Sequence, residues 1–161
     1  MDQLNANQIE FAEIIEAESI QTEGLLALLR QEHNLLQQNS PEALEQIAAV
    51  KQKQLQLLEL TAQGKHDFLQ RQGLSPDRQG AVTYIAAMPE SSQIRHYFRI
   101  LQEMLEASRA QNEINGGIVA LNRRRVSNAL DLLQSSRQGQ KTYGRSGESR
   151  TSRLSNSFGK A

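Results

Sequence analysis

The stretch Asn112-Glu113-Ile114-Asn115-Gly116-Gly117-Ile118-Val119 decides how this chain is read. Two adjacent glycines, an apolar pair and then Arg123-Arg124-Arg125 suggest a phosphate-cradling loop, a hinge, or the interior of a helix. A dinucleotide fingerprint needs its glycines to follow a strand, and these follow a helical pattern. From Glu90 onward the 4-3-4-3 positions are Ile94, Phe98, Leu101, Leu105, Ser108, Asn112, Asn115, Val119, Asn122, Val126, Ala129 and Leu133. That is a coiled-coil-like seam of about 40 residues. Gly116 and Gly117 therefore lie inside a long helix, which they weaken by roughly 2 kcal/mol relative to alanines. The three asparagines of the seam put amide donors and acceptors beside them.

Upstream, two more helices are legible. Residues 5–38 carry apolar pairs at Ile14-Ile15, Leu25-Leu26 and Leu35-Leu36, with Phe11, Leu28 and Leu29 widening the stripe. Spacings of ten and eleven residues return to one helix face every three turns. Ser40-Pro41-Glu42 restarts a helix: a serine able to cap, a proline tolerated at the first position, and an acid suited to the dipole. Leu44, Ile47, Ala48, Leu55, Leu58, Ala62 and Leu69 then keep three-and-four spacing to about residue 71. So short a connection makes the two helices an antiparallel hairpin. Gly73-Leu74-Ser75-Pro76-Asp77 reads as a loop, and residues 78–88 as a short helix with Val82, Ile85 and Met88 on one side, ending at Pro89.

Composition agrees with helix throughout. Of 161 residues only 38% are hydrophobic and 4% aromatic, with no Trp. Leu, Ala, Gln, Glu and Arg dominate, and the β-branched runs of strands are missing. The expected fold is all-α: a long antiparallel hairpin, a short helix and a third long helix in an elongated, coiled-coil-like bundle. The expected domains are a helical body, 1–134, and a tail, 135–161. The tail holds six Lys or Arg and one Glu, a net of +5, while the body's 12 basic and 17 acidic residues give −5. Rich in Ser, Gly and Arg, the tail cannot bury enough apolar surface to offset its ordering entropy, so it is expected to be disordered in isolation.

The chemistry of an enzyme is missing from the pattern. With no cysteine there are no disulfides or thiolate metal sites. None of His33, His66 or His96 stands three residues after a Glu, the pairing that a metal-binding bundle requires. Gly64-Lys65 and Gly159-Lys160 lack the upstream glycine of a phosphate loop. No cofactor or metal is expected, and no catalytic residue. The triple arginine points in three directions about 100° apart and lacks stacking aromatics, so it reads as a solvated face rather than a nucleic-acid site. No apolar run reaches membrane-spanning length and no signal pattern opens the chain, so a cytoplasmic protein without stable membrane insertion is expected.

Taken together, Asn112-x-x-Asn115-Gly116 followed by Ile118-Val119, then Thr142-Tyr143-Gly144-x-x-Gly147, resembles the FlgN family of flagellar export chaperones. The Leu- and Gln-rich hairpin LLALLRQEHNLLQQNSPEALEQIAAVKQKQLQLLE is similar as well, so the resemblance covers about residues 20–147. The triple arginine and the residues beyond 147 have no counterpart in the pattern. The resemblance implies a non-enzymatic chaperone that binds the C-terminal helical segments of hook–filament junction proteins, prevents premature assembly and brings them to the type III export gate. By motif position it puts Tyr143 and Gly144 forward for gate contact.

An incoming amphipathic helix needs a groove between helices. Leu105, Asn112, Asn115, Gly116, Gly117 and Val119 are the expected client-binding residues on that ground. The alternative is that the amides face the protein's own helices and fix their register. The competing function is a coiled-coil scaffold that self-associates through the 94–133 seam. The sequence leaves the free protein open as monomer or homodimer, and leaves open which junction protein is preferred. Leu154 and Phe158 carry no assignment.

Overall fold

The computed structural model describes residues 6–89 and 92–141. Among them are four helices and no strand: α1 (Ala6–Gln38), α2 (Pro41–Arg71), α3 (Arg78–Ala86) and α4 (Gln93–Lys141). The all-α expectation holds, with the hairpin, the short helix and the long last helix in the expected order. The chain divides into two compact units, residues 1–120 and 121–161, and α4 contributes to both. It is helical to Lys141, beyond Gln134 where the apolar periodicity ends. Tyr143, Gly144 and the rest of the expected tail lie outside the described residues.

Local chemistry sets each turn. Asn39, at φ 53°, takes the left-handed conformation that ends α1, a role asparagine fills when glycine is absent. Pro41 opens α2 as its sequence suggests. Ser40, however, makes no side-chain cap; its carbonyl accepts from the Leu44 N–H at 3.0 Å. α2 ends in a Schellman motif: Gly73, at φ 72°, donates to Gln70 O and Leu74 donates to Leu69 O. Asp77 caps α3 by accepting from the Gly80 N–H at 3.1 Å. Arg95 of α4 ties the other end of α3 down, its Nη2 donating to the carbonyls of Ile85, Ala86 and Met88.

The apolar core of the first unit gathers where the start of α1, the end of α2, α3 and the start of α4 meet. Phe11, Ile15, Phe68, Leu69, Ile85, Ile94 and Leu101 are buried there. Phe11, Phe68 and Tyr84 pack as a triad with ring centroids 4.7–5.2 Å apart, within the range of favourable aromatic pairs. Burial, and secondarily the charge of Glu10, raises the Tyr84 hydroxyl above its ordinary pKa. Val82, expected on the inner side of the short helix, is exposed; Ala81 takes that position.

Farther along the hairpin, where Leu25, Leu29, Leu36 and Ile47 are still buried, polar side chains join the contact between α1 and α2. Ala48, Leu55 and Ala62, expected in the stripe of α2, are exposed. Their inward places are held by side chains with partners on α1. Lys65 Nζ donates to both carboxylate oxygens of Glu18, at 2.6 and 2.7 Å. Gln54 donates to the Gln21 carbonyl at 2.7 Å, and the Thr61 hydroxyl to Gln21 Oε1 at 2.8 Å. Lys51 pairs with Glu32. Lys65, Gln54, Thr61 and Lys51 are retained inside because each finds its partner on α1.

Candidate functional site

The seam of α4 begins as core. Ile94, Phe98 and Leu101 are buried, and Leu105 is half-buried against the same cluster. Two polar layers follow. Ser108 is buried and returns its hydroxyl to the Met104 carbonyl at 2.8 Å. Asn115 is 3% exposed and fully satisfied. Its Nδ2 donates to the Leu29 carbonyl and to Glu32 Oε2, both at 2.8 Å, and its Oδ1 accepts from Gln111 at 3.1 Å. Glu32 in turn holds Lys51 of α2 through its other oxygen. One asparagine of α4 is thereby linked to the neighbouring helix and, through it, to a third.

Around Asn115 and beyond it the seam is uncovered. Asn112, Gly116 and Gly117 are exposed, and Val119 is 43% exposed. A Cβ built on Gly116 or Gly117 meets nothing within 4 Å. The sequence left open whether the amides face the protein's own helices: Asn115 does, through α1, and Asn112 does not. The expected site residues therefore separate into an anchored pair, Leu105 and Asn115, and an open surface of Asn112, Gly116, Gly117 and Val119. Among the described residues, no other helix comes within 4 Å of a Cβ placed on either glycine. In the second unit, residues 121–134 are exposed apart from half-buried Asn122, and Arg123, Arg124 and Arg125 are among the exposed ones.

Beside Leu105 lies a feature the sequence did not reveal. A cleft of about 240 Å³ opens there, floored by Phe98, Leu101 and Ala81 and walled by the Glu18–Lys65 pair. Arg78, Glu106 and Arg109 form its charged rim. It brings together four helices of the first unit, so no local motif could have announced it. Its chemistry suits an apolar side chain with polar neighbours. Among the described residues no cluster of His, Asp or Glu could hold a metal ion. No described helix is long and apolar enough to cross a membrane.

A comparison with solved structures finds a crystal structure of a provisionally assigned flagella synthesis protein, FlgN, of Pseudomonas aeruginosa. It is 26% identical, with a TM-score of 0.57, and the match covers 83% of this chain and 99% of that one. None of the curated proteins matches the chain. The family model for FlgN protein matches residues 1–151, nearly the full length and all four helices. By that match the chain belongs to the FlgN family.

Proposed function

We propose that this protein takes part in flagellum biogenesis as a non-enzymatic export chaperone. It binds the C-terminal helical segments of hook–filament junction proteins in the cytoplasm, keeps them from assembling early, and delivers them to the type III export gate. Membership of the FlgN family supports the flagellar role, as does the likeness to a protein named for flagella synthesis. The observation that carries the client-binding part is the change in α4 between Asn115 and Val119. An apolar, glycine-containing helix face there leaves its own partner and stands open, the kind of surface on which an amphipathic helix docks. Leu105 and its cleft extend that surface toward the core. Residues 1–134 form the client-binding part in this reading, and the tail from 135, with Tyr143 and Gly144, engages the gate.

Calorimetric titration of the full chain with a junction-protein C-terminal segment tests the proposal. Saturable binding that is lost in Val119→Asp, with helicity unchanged, supports it. No binding by the parent chain overturns it. Tyr143→Ala is expected to keep client affinity while reducing capture of the soluble part of the export gate; equal capture removes Tyr143 from the site. The scaffold alternative is weakened by the burial of Ile94, Phe98, Leu101, Ser108 and Asn115 within this chain, since that part of the seam is already occupied.

A further inference from the structure

α2 carries a second seam, separate from the proposed client surface. Val50, Lys53, Leu57, Leu60, Gly64 and Asp67 recur at spacings of 3-4-3-4-3, and every one is exposed. Leu60 is 71% exposed, Val50 51% and Leu57 49%. Those are large apolar side chains to leave in water on one helix, at the spacing of a coiled coil. The neighbouring helix is not what they serve, because α1 is met by Gln54, Thr61 and Lys65 instead.

The seam is a palindrome. Its spacing reads the same in both directions about the midpoint of Leu57 and Leu60, as a two-fold axis requires of a self-complementary surface. We propose that two copies of this chain pair antiparallel through this face of α2. In that register Leu57 of each copy lies opposite Leu60 of the other, and the four leucines form the centre. Lys53 lies opposite Gly64 of the second copy, where a Cβ would meet nothing within 4 Å. Its aliphatic stem crosses that bare backbone, and its ammonium reaches Asp67 one turn farther on. Lys53 has no ion-pair or hydrogen-bond partner among the described residues, so the pairing gives it one. A parallel arrangement would instead set Lys53 against Lys53 and Asp67 against Asp67. Charge thus selects the antiparallel dimer. Its apolar centre is short, so the association is weak and concentration-dependent.

Sedimentation velocity of the full chain over a concentration series tests this. The parent is expected to pass from monomer to dimer, and Leu60→Gln to weaken the association at least tenfold. Lys53→Glu and Asp67→Lys each weaken it roughly tenfold, and the two together restore it to within about threefold of the parent. The chain contains no cysteine, so introduced thiols report alone. Mild oxidation of a mixture of Lys53→Cys and Gly64→Cys chains is expected to give chiefly the mixed disulfide dimer. All these positions are exposed on a helix, and circular dichroism checks that each variant stays folded. A parent that remains monomeric throughout overturns the proposal. So does association indifferent to Leu60→Gln, a charge exchange that fails to rescue, or a Lys53→Cys homodimer that predominates over the mixed one.

Discussion

Asn115 and Glu32, 83 residues apart in the chain, are joined by a 2.8 Å hydrogen bond that fixes the register of α4 against α1. The same amide hydrogen-bonds the Leu29 carbonyl and the same carboxylate holds Lys51. A buried amide with all its groups paired is favourable only in one alignment; a shift by one turn would strand it among leucines.

The first expectation follows from that pair. Asn115→Ala should destabilise the protein by ~1–2 kcal/mol, because it removes hydrogen bonds inside the bundle. Asn112→Ala, at an exposed seam position, should stay within ~0.5 kcal/mol of the parent. Urea unfolding followed by circular dichroism measures both; equal effects would mean the two asparagines are equivalent.

Leu105 and Val119 should separate under the same substitution. Leu105→Asp puts a carboxylate against the core beside Phe98 and Leu101, and should cost ~2–3 kcal/mol of stability. Val119→Asp lies in the open and should change stability by less than ~1 kcal/mol. Loss of client binding in Val119→Asp then reports on the surface and not on the fold. Thermal melts run alongside the titrations decide this.

The Glu18–Lys65 pair walls the cleft, and the Glu18 side chain is only 6% exposed. Lys65→Met leaves that carboxylate buried without its counter-charge and should cost ~3 kcal/mol or more. Adding Glu18→Leu should recover most of the loss, to within ~1 kcal/mol of the parent, since an apolar pair of similar volume replaces a buried ion pair at little penalty. A double mutant as unstable as the single one would show that the pair supports the bundle in some other way.

Glycines at different sites should respond with opposite sign. A Cβ at Gly80 would come within 1.7 Å of the Ser75 carbonyl oxygen, so Gly80→Ala should destabilise by ~2 kcal/mol or more as the loop before α3 is pushed aside. Gly116→Ala and Gly117→Ala meet open space and should each stabilise by ~1 kcal/mol through helix propensity alone. If the bare backbone there receives a client helix, the same two changes lower client affinity while raising the melting temperature.

Asp77 gives a pH signature. The hydrogen bond from the Gly80 N–H, with a second from Ser75, holds its carboxyl below the ordinary carboxylate pKa. A carboxyl depressed on folding adds stability above its unfolded pKa of about 3.9, and that contribution disappears as the pH falls through the lower folded value. The difference in melting temperature between the parent and Asp77→Asn should therefore be constant near neutrality and narrow as the solution becomes strongly acid. A difference that grows on acidification would contradict the assignment.

The sequence by itself determined the helices and their order. Ser40-Pro41, Gly73 and Pro89 punctuate the chain, and the stripes of Phe11, Ile15, Leu25 and Leu29 and of Ile94, Phe98 and Leu101 set the inner faces of α1 and α4. Those signals are local, carried by backbone preference and by a period of 3.6 residues. The family pattern was legible for the same reason, since Asn112-x-x-Asn115-Gly116 is contiguous. Tertiary structure decided the rest. It placed Gln54, Thr61 and Lys65 against α1 and left Ala48, Leu55 and Ala62 exposed, although apolar spacing alone puts those three on the inner stripe. It separated Asn115 from Asn112, one bound to Glu32 and Leu29 and the other exposed, although both occupy the same seam. It also formed the cleft beside Leu105 from four helices. A polar side chain is worth burying only where a partner from a distant segment meets it, and that partner cannot be read from neighbours in the sequence.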